Sequence, residues 1–395
     1  MNGISEKEQL KRTTSTLEAE KTTPKRNGYG FWMPRFWHGM VLSAWLKLLK
    51  RNRYAVHPLR IPMAGMITLI ATANSALGAM QQAKIGHRLD NLRLRRPPVF
   101  IIGHWRSGTT FLHELLVRDP QHTYPTTYEC FCPAHFLLTG RIASKYLGFL
   151  LPSQRPMDNV RTGWNRPQED EFALCGLGSP SPYLTMAFPN HSPIDQDYLD
   201  FDGVSREDIE EWKSTLMWFL RRITVRTSKR IILKSPPHTS RVDVLRQMFP
   251  DAKFIHIVRD PYTLFPSTVK LWKSLYTIQG LQIPRFIGLN EHVLETLPRM
   301  YKSFNKQVGQ LRPNQFCQLK YEDLVADPIN QVRRIYETLE LESFESMLPQ
   351  LVEFVQEESG YQPNRHRLAP ELCEAISQRW EFYFNDYGYA KEQHF

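Results

Sequence analysis

The sequence predicts an α/β protein with a mainly parallel central sheet flanked by helices and preceded by N-terminal helices. Three observations predict it. From residue 97 short apolar runs alternate with segments of helical periodicity, the order a parallel sheet requires. The runs Val99–Ile102, Ile231–Leu233, Phe254–Val258 and Phe316–Leu319 read as strands. Each ends on or beside a residue of chemical interest (Gly103, Lys234, Arg259, Tyr321), and open α/β sheets bind ligands outside the carboxyl ends of their strands.

The first strand follows Pro97 and Pro98, breaks at Gly103, and gives way to a helix patterned by Phe111, Leu112, Leu115 and Leu116. Strand, tight loop and helix N-terminus together hold a phosphate with free N–H groups and the positive end of the helix dipole. The spacing Gly103-x4-Gly108 matches the start of the nucleoside-triphosphate P-loop, but Thr109 stands where that motif needs Lys. The cation lies inside the loop instead, as Arg106, whose guanidinium can fork two phosphate oxygens. By itself the stretch also fits a structural turn with an exposed Arg.

The segment Lys253–Pro261 is a second apolar strand ending in Arg259. It continues with Asp260 as N-cap and Pro261 at the first helical position. The following helix carries Leu264, Phe265, Trp272 and Leu275, with Ser267 eight residues beyond Arg259. On these two elements, residues 97–330 resemble the sulfotransferases that use 3′-phosphoadenosine 5′-phosphosulfate (PAPS). That family joins a 5′-phosphosulfate loop to a downstream Arg-x7-Ser. Arg106 replaces the Lys of cytosolic members, and the Arg-Ser-Gly-Thr-Thr form is closer to the tyrosylprotein and many bacterial enzymes.

The resemblance implies a P-loop-like three-layer fold and a sulfotransferase activity. Sulfuryl transfer is an in-line displacement in which the protein positions both partners, stabilises the leaving oxygen and removes the acceptor's proton. No metal is expected, because the transferred group carries a single negative charge. Arg106 would meet the bridging oxygen, Ser107, Gly108, Thr109 and Thr110 would donate to the phosphosulfate, and Arg259 with Ser267 would grip the 3′-phosphate. Tyr321, in Tyr-Glu-Asp-Leu, matches a segment near the adenosine, and Arg365 stands where a late basic loop reaches the 3′-phosphate. Lys234 matches the Lys near the sulfate. The family's His base follows that Lys by two residues, whereas His238 follows it by four.

The base has three candidates, ranked Glu169, His238 and Glu129. Glu169 lies in Asn165-Arg-Pro-Gln-Glu-Asp-Glu171, and Glu is the base in tyrosylprotein and several bacterial relatives. The same acids would also complement a helix dipole, with Asn165 and Gln168 resembling a capping box. Glu129 resembles the base position of a bacterial carbohydrate sulfotransferase. His238 equally suits a helix cap or a surface position.

Composition narrows the partners. Hydrophobic residues make up 42% of the 395, enough for a packed core, and 50 basic against 40 acidic residues suit an anionic ligand. No zinc-finger spacing, RNP-type motif or Arg/Lys-Gly tract points to nucleic acid. Five cysteines without a framework spacing and no apolar signal near Met1 lead us to expect a cytoplasmic protein with reduced thiols, either free or at the membrane surface. Cys130-x-Cys132 lacks the second pair that a metal site needs.

Four regions are expected. Residues 1–28, polar and without apolar period, read as a disordered tail. Residues 29–96 read as a helical extension: an aromatic, amphipathic Phe31–Leu49, then an uncharged Ile61–Ala83. That extension suits a hairpin buried on the catalytic domain, helices in peripheral contact with a membrane surface, or a single span. Polar residues within Ile61–Ala83 favour the first. Residues 97–395 form the catalytic domain, within which 141–230, rich in Pro and aromatics and weakly periodic, would build an acceptor pocket and lid. Trp380–Tyr389 reads as packing. The acceptor hydroxyl (or amine) is expected on a lipid, glycolipid or carbohydrate; neither its identity nor the oligomeric state is written in the sequence. Two rivals remain: a P-loop-type kinase, which needs the missing Lys and a Mg²⁺-binding Asp, and a non-catalytic anion- or membrane-binding protein.

Overall fold

Alternation along four short strands divides the molecule into layers. In β1 (Val99–Ile102), Val99 and Ile101 enter one core while Phe100 and Ile102 enter another. The same division runs through β3 (Arg230–Lys234) and β4 (Lys253–Val258), so both faces of the sheet are covered. This is a computed structural model, and it describes residues 33–140, 163–225, 227–342, 344–357 and 368–391. The expected tail 1–28, the first part of the 141–230 insertion and Arg365 lie outside the described residues.

The sheet has five strands, with β2 at His122–Thr123 and β5 at Phe316–Lys320, in the order β2-β3-β1-β4-β5, all paired parallel. Phe100 aligns with Leu233 on one side and Phe254 on the other. All four strands expected from sequence are present. The fifth, β2 (His122–Thr123), is two residues long at the sheet edge, too short for any periodicity to announce. With β1 between β3 and β4, the segments leaving three neighbouring strands emerge side by side at one edge of the sheet.

Two N-terminal helices, α1 (Leu42–Arg51) and α2 (Ile61–Gln81), join the same core as one face of the sheet through Trp45, Leu48, Met63, Ile67 and Ala71. Trp45 Nε1 donates to Thr68 Oγ1 at 2.9 Å between them. Helix α3 (Thr109–Leu116) follows β1 and lays Leu112, Leu115 and Leu116 on the opposite face.

The insertion departs from the weak periodicity read in it. It holds α4 (Asp170–Leu177) and the 19-residue α5 (Arg206–Thr224), capped by Ser205 Oγ accepting from Asp208 N at 3.1 Å. Trp212, Leu216, Phe219, Leu220 and Ile223 give α5 a regular buried stripe; charged residues packed before and after it mask the stripe in a composition-based reading. After β4 comes α6 (Pro261–Gln279), with Asp260 Oδ1 accepting from Thr263 N at 2.8 Å, the cap the sequence implies. The C-terminal aromatics pack as expected: Trp380, Tyr383 and Phe384 are buried, and Trp380 Nε1 donates to Leu294 O at 3.0 Å.

Candidate active site

The loop leaving β1 is set by two glycines and one strained arginine. Gly103 (φ +150°) and Gly108 (φ +106°) take conformations that side chains rarely adopt. A Cβ on Gly103 would lie 2.5 Å from Ile257 O, and one on Gly108 would lie 2.2 Å from the Tyr321 ring. Gly108 is therefore needed where the Tyr321 ring packs onto the loop. Between them Arg106 has φ +71°, a left-handed conformation costing roughly 1–2 kcal/mol that its surroundings must hold.

They hold it from three sides. Thr239 Oγ1, in the turn after β3, accepts from Gly103 N at 2.8 Å and donates to Gly103 O at 3.1 Å. Thr268 of α6 donates to Trp105 O at 3.2 Å, and Arg259, at the end of β4, donates to Arg106 O at 3.0 Å. Arg106 Nε donates to Ser267 Oγ at 2.9 Å. The Arg259 guanidinium lies 4.2 Å over the Tyr321 ring, and Arg259 N donates to Tyr383 OH at 3.2 Å. Ser107 directs both its N–H and its hydroxyl to His104 O, at 3.1 and 2.8 Å. These bonds brace the loop from within. Thr109 and Thr110 open α3, whose first N–H groups have no intrahelical partner.

The acidic triplet meets the end of β3. Glu169 is the N-cap of α4 without a side-chain capping bond, and Asn165 and Gln168 make no capping box there; Gln168 Oε1 accepts from Glu169 N at 3.0 Å. Lys234 Nζ donates to Glu169 Oε1 at 2.6 Å, and Tyr183 OH donates to Glu169 Oε2 at 2.6 Å. Trp105 Nε1 donates to Tyr183 OH at 2.9 Å, so this network ends beside Arg106. Burial, with the neighbouring Glu169 carboxylate, pushes the Tyr183 phenol well above its ordinary range and keeps it a donor.

The next two acids turn inward. His238 donates to Asp170 Oδ2 at 2.7 Å and Ser235 to Asp170 Oδ1 at 2.8 Å. Burial alone would raise the Asp170 carboxyl, but His238 and the hydrogen bonds from His238 and Ser235 outweigh it and hold the group below its ordinary range. Arg241 donates to both oxygens of Glu171 at 2.7 and 3.1 Å, and Ser181 adds a third bond at 2.6 Å. His238 is fully enclosed, edge-on to Phe100 and Trp212, so it is neither a cap nor a surface residue. Glu129 caps a short helix: its Oε2 accepts from Thr126 N and Thr126 Oγ1 at 2.8 and 2.9 Å.

Aromatic rings line the ground between loop and acid. Trp105 packs against Trp272 and Tyr183 at 5.6 and 6.1 Å, and Tyr183 meets Phe172 at 5.1 Å. His104 behind the loop donates from Nδ1 to Trp105 O, and burial lowers its pKa to about 4, keeping it neutral.

The structure thus gathers Arg106, Gly108, Thr109, Thr110, Arg259, Ser267 and Tyr321 around one loop, and ties Lys234 and Glu169 to it through Tyr183 and Trp105. Thr239, Tyr183 and Arg241 were not found by sequence reasoning. Trp105 lies inside the motif and could have been; Thr239 and Tyr183 carry no local signal. Two guanidiniums and a helix N-terminus suit a ligand with phosphate groups, and a carboxylate beside an ammonium suits proton transfer.

Residues 97–346 match the family model described as "Sulfotransferase family". The chain is similar to the omega-hydroxy-beta-dihydromenaquinone-9 sulfotransferases Stf3 of Mycobacterium bovis and Mycobacterium tuberculosis. Identity to each is 43% over 375 residues, covering 95% of this chain and 96% of theirs. Among solved structures, sulfotransferase STF9 from Mycobacterium avium has a TM-score of 0.60 at 15% identity, over 88% of this chain and 96% of its own. STF1 from Mycobacterium tuberculosis has a TM-score of 0.58 at 17% identity, over 95% and 98%.

Proposed function

The chain belongs to the sulfotransferase family, and from that premise we propose that it transfers the sulfuryl group of PAPS to the hydroxyl of a long apolar alcohol by in-line displacement. PAPS, when bound, supplies a sulfuryl group on a phosphate leaving oxygen and a 3′-phosphate by which it can be gripped. Arg106 stabilises charge on the leaving oxygen, assisted by the N–H groups and hydroxyls of Thr109 and Thr110. Arg259 and Ser267 hold the 3′-phosphate, and Tyr321 lies beside the adenosine. Glu169 takes the proton of the acceptor hydroxyl, while Lys234 and Tyr183 orient its carboxylate. Residues 97–395 constitute the catalytic domain in this reading, and the 141–230 insertion, through Glu169 and Tyr183, supplies the acceptor side.

One observation carries the proposal. Arg106 and Ser267, 161 residues apart, share a hydrogen bond, and Arg259 bonds the same loop, which supports reading the two sequence elements that resemble PAPS ligands as one site. An apolar acceptor is supported by the wall of Trp105, Trp272, Tyr183 and Phe172, and by the quinone-derived acceptor in the names of the relatives. Two measurements test this. Calorimetry should give tighter binding of 3′,5′-ADP (PAP) than of ATP without divalent metal; Mg²⁺-dependent ATP binding without PAP binding overturns the donor. Labelled PAPS should then sulfate a hydroxylated polyprenyl quinol in preference to sugars and peptides; the reverse preference overturns the acceptor class.

A further inference from the structure

A helix on a water-facing surface turns its polar residues outward. Helix α2 does the opposite along much of its length. Thr68 accepts from Trp45 Nε1 at 2.9 Å, and Ser75 accepts from Leu42 N at 2.8 Å. Asn74 Nδ2 donates to His38 O at 2.7 Å and Met40 O at 3.1 Å, and Gln81 Nε2 donates to Ala134 O at 3.0 Å. These four polar side chains are therefore engaged with the protein body, while Thr72 is exposed and donates to Thr68 O of its own helix at 2.8 Å. The opposite face carries Ile61, Leu69 and Met80, all exposed (Leu69 by 74%), with exposed Ala73 and Ala76 between them. These positions recur at intervals of three, four and eight, which places them on one side of the helix.

The ridge continues beyond the helix. Leu59, just before it, is 79% exposed. Its neighbours are bonded to the segment after α6: His57 N donates to Leu281 O at 2.9 Å, and Gln282 Nε2 donates to Ala55 O at 3.1 Å. That segment exposes Ile283 and, at 76%, Ile287. It directly follows the helix whose Trp272 packs on Trp105.

Charge is one-sided here. Residues 33–89 contain no Asp or Glu, while Lys47, Lys50, Arg53 and Arg60 precede α2 and Lys84 and Arg88 follow its last turn. Arg51 is offset by Asp195, its partner at 2.8 Å. An uncharged ridge between groups of cations complements an anionic lipid surface: apolar side chains enter among the acyl chains and the cations meet headgroup phosphates.

We propose that α2 is a membrane foot that lies flat on an anionic bilayer, with Ile61, Leu69, Met80, Leu59 and Ile287 immersed in its outer part. A spanning arrangement is opposed by the bonds from Thr68, Asn74, Ser75 and Gln81, which keep the protein body along one side of the helix. A second copy of this chain fits less well, because a two-fold contact on this face would bring like cations together. The placement rests on α2 and its charges, independently of the donor site.

The full chain is sedimented with phosphatidylcholine vesicles with and without phosphatidylglycerol. Pelleting with the anionic vesicles at low salt and release at high salt are expected. Leu69→Glu combined with Ile61→Glu should weaken pelleting by about tenfold or more, with the thermal unfolding midpoint and PAP affinity unchanged. The charge reversals Lys47→Glu, Lys50→Glu and Arg53→Glu, made together, should do the same without touching the ridge. No pelleting, pelleting unaffected by both variants, or retention in alkaline carbonate overturns the foot. So does a dimer in light scattering that the ridge variant dissolves while vesicle binding persists. Failure of PAP to bind would instead strike the donor assignment and leave the vesicle result standing.

Discussion

Three consecutive acids, Glu169, Asp170 and Glu171, meet three partners from one short stretch, Lys234, His238 and Arg241, yet the first pair differs in kind from the other two. The Asp170–His238 and Glu171–Arg241 side chains are wholly buried, whereas the Glu169 side chain remains 14% exposed. The buried acids are saturated with hydrogen bonds, as a carboxylate removed from water must be. Glu169 keeps a path to solvent and a link through Tyr183 and Trp105 to the loop after β1. Similar acids in sequence thus end in different surroundings, one carboxylate reaching solvent and the next two locked into packing, and burial makes the difference.

Substitution along the triplet breaks that comparison most sharply. Glu169→Gln keeps shape and should lower kcat by about 10²- to 10⁴-fold, roughly 3–5 kcal/mol of barrier, with the unfolding midpoint and PAP affinity near wild type. Glu171→Gln should instead cost about 3–5 kcal/mol of stability in urea unfolding, because it leaves Arg241 buried without its counter-charge. His238→Asn belongs with the second group and should lose stability while retaining kcat per folded molecule. Should His238→Asn show the kinetic drop and Glu169→Gln not, the proton goes to the imidazole and the two regions exchange roles.

Acid sharpens the same contrast from the enclosed side. Burial lowers the pKa of His104 and His256 from 6.5 to about 4, so between those values the unfolded chain binds protons that the folded chain refuses. Their stabilisation is complete above the unfolded value and is lost as pH falls from 6.5 toward about 4, by up to roughly 3 kcal/mol each. Asp170, also held below its ordinary value, adds a further loss only below that window, as pH falls through its folded pKa. Urea midpoints that stay flat between about pH 7 and pH 5, a range in which much of this loss falls, would refute the burial of neutral imidazoles.

Smaller effects divide donor from acceptor. Arg259→Ala should weaken PAP by about 1.5–3 kcal/mol and spare adenosine 5′-phosphosulfate, which lacks the 3′-phosphate. Equal weakening of both in calorimetry would make Arg259 a support for the Arg106 carbonyl alone. Tyr183→Phe removes one hydrogen bond to Glu169 and should reduce kcat about fivefold, near 1 kcal/mol, without altering PAP affinity.

The sequence by itself determined the features that depend on neighbours in the chain. Four strands, the glycines of the turn after β1, the cation inside it and the Asp260–Pro261 helix start are consequences of side-chain periodicity, steric limits on φ and capping, all short-range. Tertiary structure alone decided which acid stays open. The partners of Glu169, Asp170 and Glu171 lie 65, 68 and 70 residues away, and nothing within the triplet states how much water each will lose. It also decided that Gly108 makes room for Tyr321, that His238 is enclosed, and that α2 turns its polar residues inward. An uncharged run such as Ile61–Ala83 has its composition in the sequence, but its inner and outer faces exist only once Trp45 and Asn74 have bound it to the body. Short-range sterics and hydrogen bonding are set by adjacent residues, whereas desolvation depends on every group that the fold brings near.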